Sequence, residues 1–449
     1  MARRWKFLHI EQIFVFLFLL TFTMPYVRIS LKGIVWPKEY VQNPIGLPRI
    51  IEISLLLLLV IMISIKRVSL GKLLKMLKED IIFKLLLLLV FYVLLFHPFL
   101  VEVFSLPTSP IGKGVIRGNL ILPLVAYIIG SNICMGEENI ISIFLGLILA
   151  GTVQAFAMIN PSWFPQNLIY GNFGCYSLWL SSGSSIELQR QAGFWDRSSQ
   201  AGDFIAIIMC LVLACITYSK SKKLKFVLLS IISILLAAIL STLQRAPVIA
   251  IILLLTLVML GRFYERSVLR IKKLRFMRLL ILGVATLGIT MCPCVFLTRF
   301  SLSALYNDYR MTAVWPVYIN FIFREPLVLF FGAGYGCDAL NEYREPMGMA
   351  HAHNQFLGWI AGIGLPMTIF FIYLFFKIYK RAKACESSVF LNNHERMVAS
   401  FCIMMLFVIS VISLAESPLL QEPITILVFF TAGLVSSLRK MDIIRKKVP

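Results

Sequence analysis

Arg245 lies in Ser241-Thr-Leu-Gln-Arg-Ala-Pro247, between apolar runs near 224–242 and 247–261 that leave it almost no loop. A guanidinium at a membrane face is costly and usually serves a bound anion or a pathway, and its fork of N–H donors suits phosphate oxygens. The alternative is a helix-end arginine whose stem snorkels to the interface. Pro247 suits the first turn of the next helix, so Arg245 falls at or just before a helix start, where backbone N–H groups also favour an anion.

Further residues extend the pattern toward the C-terminus. Arg310 lies in Tyr309-Arg-Met-Thr-Ala-Val-Trp315, read as the start of a helix along the outer surface; a solvated arginine is the plainer reading. Gly332, Gly334 and Gly336 follow as a segment that permits close backbone approach, and no strand precedes them as a dinucleotide motif would require. His351-Ala-His-Asn354 then stands before an apolar run. An imidazole near its unperturbed pKa can take a proton from a hydroxyl. His353 is nearer the following helix and is the first choice for a base, with His351 competing. Metal binding by this pair lacks a nearby carboxylate or third ligand, so no metal is expected.

The elements that must position these groups are apolar helices. The chain has 449 residues, 59% of them hydrophobic, with a mean hydropathy of +0.86, far above a soluble composition. Runs long enough to span a hydrocarbon core occur near 11–27, 49–65, 81–101, 115–131, 139–158, 202–218, 224–242, 247–261, 279–297, 354–376, 397–415 and 418–438. They predict an all-α, polytopic integral membrane protein of about twelve transmembrane helices in a single domain over 1–449, the first run being a retained helix. Barrel strands would alternate in hydrophobicity, and these runs do not.

The net charge of +21 reflects sidedness, not nucleic acid: 29 of the 43 Lys and Arg fall on one side of this topology and 13 on the other. The positive-inside rule puts both termini in the cytoplasm. Two long segments then face outward, 159–201 and 298–353, the second a helical loop between spans 9 and 10. Trp163, Trp179 and Trp195 in the first read either as an interfacial aromatic belt or as platforms for sugar rings. Cys210, Cys215 and Cys402 read as packing residues within spans; Cys292-Pro-Cys294 has too little polar context for redox chemistry; Cys175 and Cys337, both in outward loops, form a candidate disulfide.

The order of an arginine in a very short outer turn, Arg310-x4-Trp315, a Pro-Leu…Gly-x-Gly-x-Gly stretch, and His351-x-His-Asn-x2-Leu357 leading to Gly362-Ile-Gly-Leu-Pro366 resembles the O-antigen ligase and polymerase superfamily, most specifically over about 240–375. Gly193-Phe-Trp-Asp-Arg-Ser-Ser-Gln-Ala-Gly202 resembles the family's segment before its central helices, without its usual Pro-Asn. The arginine turn likewise lacks the family's adjacent serine. The resemblance implies an inverting, metal-independent GT-C glycosyltransferase of the bacterial inner membrane, acting at the periplasmic face on a glycan carried by undecaprenyl pyrophosphate. Lipid A-core is the implied acceptor for a ligase and a second lipid-linked glycan for a polymerase, with ligase preferred; a lipid-linked glycan transporter is a remoter alternative. Arg245 and Arg310 would hold the pyrophosphate, His353 or His351 would be the base, and Arg197, Trp315 and Asn354 would add substrate contacts. No cofactor and no nucleic acid are expected.

Overall fold

A computed structural model describes the chain except residues 1, 26–27, 31–32, 36–48, 105–116, 134, 165–170, 180–184, 196, 265–307, 309, 335–351 and 448–449. Its main helices are α1 (Ala2–Leu20), α2 (Ile50–Ser64), α3 (Leu70–Glu79), α4 (Ile81–Phe91), α5 (His97–Phe104), α6 (Leu122–Asn132), α7 (Glu137–Ile159), α8 (Ser198–Tyr218), α9 (Lys222–Ser241), α10 (Arg245–Tyr264), α11 (Trp315–Arg324), α12 (Pro326–Phe331), α13 (Gln355–Glu386), α14 (Asn393–Ile412) and α15 (Glu422–Lys447). A π-helical turn, Tyr92–Phe96, joins α4 to α5.

Among the described residues seven helices are long and apolar enough to cross a membrane: Ile81–Phe104, α7, α8, α9, α13, α14 and α15. Shorter apolar helices, Glu11–Thr23, Ile50–Ser64, Asn119–Asn132 and Arg245–Val258, occupy four more of the expected runs. The run at 279–297 lies outside the described residues.

The helical body agrees with the all-α expectation, but two antiparallel hairpins depart from it. Arg28–Ser30 (β1) pairs with Gly33–Val35 (β2), and Gly171–Trp179 (β3) pairs with Ser185–Gln191 (β4) through an irregularity between Gly171 and Cys175. The second hairpin lies inside the 159–201 segment read as loop. A Ser- and Gly-rich stretch at 181–185 separates its two runs, a turn signal that the search for helix-length runs passed over.

Helices α8 and α15 form the centre: 83% of the apolar window of each is buried, against 33% for α9. α15 pairs most extensively with α6, and the reason is the absence of side chains at the crossing. A Cβ on Gly130 would lie 2.3 Å from the Phe430 carbonyl oxygen, and one on Gly433 2.5 Å from that of Tyr127. Small residues let the backbones meet where lipid offers no hydrophobic incentive to associate.

α13 is two helices. Gly364 interrupts it with φ 79° and ψ 162°, followed by Pro366. Gly332, at φ 77°, packs on this break so closely that a Cβ there would sit 2.4 Å from the Gly362 carbonyl carbon. Two carbonyls near the break find donors across the contact, with Ala333 N donating to Ala361 O at 2.7 Å and Gly334 N to Gly362 O at 2.8 Å. The close approach expected of the glycine segment is therefore present at Gly332 and Gly334; Gly336 lies outside the described residues. This contact fixes the first half of α13, Gln355–Ile363, whose first residues adjoin the site.

Candidate functional site

The starts of α8, α10, α13 and α15 and the ends of α9 and α14 meet at one end of the bundle, and the candidate site lies there. Thr242 and Leu243 close α9, with Leu243 at φ 55°, and α10 begins at Arg245. This is the short turn the sequence implied, with Arg245 in the first helical turn. Its Nη1 lies 3.2 Å from Asp308 Oδ2. The preceding Gln244 donates from Nε2 to Ser198 Oγ at 3.3 Å, tying the turn to the start of α8.

Arg310 opens a π-helical turn, Arg310–Val314, that runs into α11, in keeping with the expected helix start. Asp308 serves both arginines: its Oδ1 accepts from the Arg310 backbone N–H at 3.0 Å while Oδ2 faces Arg245. Arg310 Nη1 in turn lies 2.9 Å from Glu416 Oε1 and donates to Ala415 O at 2.8 Å. Arg245, Asp308, Arg310, Trp315 and Glu416 line one cavity of about 120 Å³.

His353 reaches this group through the same carboxylate, its Nδ1 3.0 Å from Glu416 Oε2. It sits at φ 47°, an uncommon conformation for a residue other than glycine, on a turn held from three directions. Trp315 Nε1 donates to Ala352 O at 2.9 Å, Asn354 Nδ2 to Leu414 O at 3.0 Å, and Gln355 N to Ser413 O at 2.9 Å. Asn354 also caps α13, its Oδ1 accepting from Phe356 N and Leu357 N.

Glu416 is 6% exposed. Burial alone would raise its pKa, but the hydrogen bond to His353 and the positive charge of Arg310 outweigh that and hold the carboxyl below its usual range. An ionised carboxylate only accepts, so in the neutral form of His353 Nδ1 is the donor and the ring lone pair is on Nε2. That is the arrangement by which a carboxylate orients an imidazole base.

The chain from Ser413 to Gln421, between α14 and α15, is the piece on which the site is built. Three of its carbonyls hold Gln355, Asn354 and Arg310, and its one carboxylate holds Arg310 and His353. Its own shape is fixed from below: Leu419 N donates to Gln355 Oε1 at 2.9 Å, Gln421 Nε2 to the fully buried Asp203 at 2.9 Å, and Asn119 Nδ2 to Leu420 O at 3.2 Å. Neither Asp308 nor Glu416 was among the residues expected from the sequence. The signal was available, since Glu416 stands in an equally short polar break between apolar runs as Arg245 does.

Other expected residues fare differently. Arg197 is exposed ahead of α8 and does not line the cavity; Ser198, the next residue, makes the link to Gln244. Asn354 uses its Oδ1 to cap α13 and one N–H of Nδ2 to reach Leu414 O, which anchors the start of that helix. Trp195 is neither interfacial nor available to a sugar: it is fully buried, stacked on Phe204 at 4.7 Å, with its indole N–H donating to Phe22 O at 3.1 Å. Trp163, 66% exposed, fits the interfacial reading. Cys210, Cys215 and Cys402 are buried, as packing residues should be. His351, Cys292, Cys294 and Cys337, with the side chains of Cys175 and Trp179, lie outside the described residues.

Fold and site together define a helical protein of membrane-spanning composition with a compact charged cavity where helix ends converge. No family model matches the chain, and no curated protein sequence matches it.

Proposed function

We propose that the protein is an integral membrane glycosyltransferase that moves a glycan from a polyprenyl pyrophosphate to a hydroxyl acceptor at the outward face of the membrane. One observation carries the reading: two arginines from separate elements line a single cavity, and a carboxylate of that cavity orients a histidine. In this reading about twelve spans place both termini in the cytoplasm and the cavity on the periplasmic side of an inner membrane.

Pyrophosphate is already a good leaving group, so positioning and charge are what the protein must supply. Phosphate oxygens would compete with Asp308 and Glu416 for Arg245 and Arg310, and the guanidinium forks match them in pairs. The acceptor oxygen attacks the anomeric carbon in line and forms the new glycosidic bond. The bond from that carbon to the phosphate oxygen breaks with its electron pair leaving on the pyrophosphate, and the acceptor proton passes to His353 Nε2. Glu416 stabilises the resulting imidazolium. Inversion at the anomeric carbon follows from the single displacement.

A ligase transferring to lipid A-core is the preferred form, and a polymerase extending a lipid-linked glycan needs the same groups. A transporter draws less support: among the described residues α13 carries a break of the kind transporters use, but the Ala361 and Gly362 carbonyls near it accept from Ala333 and Gly334. Purified protein given a polyprenyl-pyrophosphate-linked glycan and a core acceptor should transfer it, and Arg245→Ala and Arg310→Ala should not. Wild-type activity in both variants would end the reading. Lipopolysaccharide gels from a strain lacking the gene separate the two transferases: loss of all polymer from lipid A marks a ligase, and a core bearing a single repeat marks a polymerase.

A further inference from the structure

At the opposite end of the bundle, α3 joins α2 to α4. Ten residues rise about 15 Å as a helix, half of what is needed to cross a hydrocarbon core. It connects two apolar helices whose neighbouring ends are Ser64 and Ile81, so it stays on one face of the bilayer. Sharp turns flank it: Lys66 at φ 58°, then Ser69 capping α3, and at the other end Asp80 terminating α3 and capping α4 in one residue.

Its sides are sorted by chemistry. Met76 is buried and accepts on its sulfur from Ser131 and Asn132, and Leu73 packs beside it on the core. Next around the helix come Leu70, Leu74 and Leu77, exposed by 74%, 58% and 41%. At about 100° per residue Lys78 borders Leu74, and Lys75, Glu79 and Lys72 complete the polar arc, with Lys75, 71% exposed, 4.0 Å from Glu79 Oε2. Val60 and Ile63 of α2 and Ile81 of α4 are exposed as well.

We propose that α3 is an interfacial helix that binds anionic phospholipid headgroups. Leu70, Leu74 and Leu77 enter the acyl boundary, while Lys75 and Lys78 meet lipid phosphates. Lys72 is committed to the protein, its Nζ donating to Lys66 O at 3.1 Å and Arg67 O at 2.9 Å. An amphipathic helix of this charge pattern draws its membrane affinity from buried apolar area and attraction to anionic lipid together. The proposal is independent of the transferase reading, since it concerns the other end of the molecule.

Amide hydrogen exchange over 70–79, measured on the full protein in nanodiscs, tests it. Replacing about a third of a phosphatidylcholine bilayer with phosphatidylglycerol should slow exchange on the order of tenfold. That slowing should vanish in the Lys75→Gln/Lys78→Gln variant and shrink in high salt. Equal exchange in the two bilayers, or slowing that survives the double substitution, would overturn the lipid assignment. Cross-linking of Lys75 between two copies of the chain would overturn it in favour of a protein partner.

Discussion

The two ends of the bundle each bury a charged cluster, and they are built differently. At the end opposite the site, Asp80 Oδ1 accepts from Arg381 at 2.8 Å, its Oδ2 from Tyr127 at 2.7 Å, and Ser436 bonds both Tyr127 and Arg381. Close by, Asp442 takes Ser388, Arg439 and Lys446, and Arg445 holds Glu395 with two bonds. Tyr127 and Ser436 sit on the two helices that cross at Gly130 and Gly433, Arg381 on α13, and Asp80 at the junction of α3 and α4. At the site end the charges ride on turns and a π-helical start, two carboxylates are shared among three basic groups, and a cavity opens between them. Burial of charge is common to both, so it marks neither as functional. At the site end the shared groups also line a cavity.

The largest effect separates the two by stability. Arg381→Ala leaves the Asp80 carboxylate, 4% exposed, without its cation, and breaking such a buried pair costs about 3–5 kcal/mol. Thermal unfolding in detergent should show a protein too unstable to purify in good yield. Changing both partners to apolar residues, Asp80→Leu with Arg381→Met, should recover much of the loss, because no charge is then stranded. Arg245→Ala, by contrast, should leave yield and melting temperature near wild type while abolishing transfer. If the two alanine variants lose stability equally, the site end is another structural cluster.

Next in size is the base. His353→Ala should lower transfer by about 10²-fold or more, the usual scale for losing general-base catalysis, with binding of the lipid-linked donor retained. Glu416→Gln should also lower transfer, since an amide can present its own N–H to Nδ1 and favour the wrong tautomer. Normal turnover in both variants, with normal donor binding, would remove the histidine from the chemistry.

These two tests fall on residues of unequal legibility. Arg245 could be found from sequence because it stands in a polar interruption between two apolar runs, and Arg310 and His353 because they lie in the long segment at 298–353, and hydropathy reports both directly. The helix starts near Arg245 and Gln355 were readable for the same reason, with Pro247 as a first-turn signal, whereas the capping role of Asn354 is seen only in the structure. Asp308 and Glu416 were passed over because a search for phosphate ligands looks for positive charge, whereas an arginine must itself be held in place by something negative. Trp195 was misread because aromatic residues in an outward segment suggest an interface; its burial against Phe204 depends on a tertiary contact that no local pattern encodes. The break at Gly364 was visible as Gly-Leu-Pro, yet its partner, Gly332, is set by close approach across the fold.

A smaller effect is expected with pH. The folded pKa of Glu416 is held below the ordinary value for a glutamate, so the folded state binds this proton less readily than the unfolded chain. Its contribution is therefore fully present above the unfolded value and is lost as pH falls through the folded one. Melting temperatures from pH 8 to about 5 should be unaffected by this group, while below about 4.5 wild type should lose stability relative to Glu416→Gln. Parallel curves for the two proteins throughout the acid range would show that the Arg310 and His353 contacts do not favour the ionised carboxyl.

The smallest predicted effect is the most specific for anion geometry. Arg245→Lys keeps the charge beside Asp308 at a residue 18% exposed, but replaces a planar fork with a single ammonium. Where one phosphate oxygen is enough, lysine should serve nearly as well; where two must be held together, losing one bond to a charged partner should cost about 1.5–3 kcal/mol, or roughly ten- to a hundredfold in transfer. The proposed site requires the second outcome, with the loss appearing in KM for the lipid-linked donor and little of it in KM for the acceptor. A deficit confined to the acceptor would place Arg245 on the other substrate and leave Arg310 as the cavity's only candidate for the pyrophosphate.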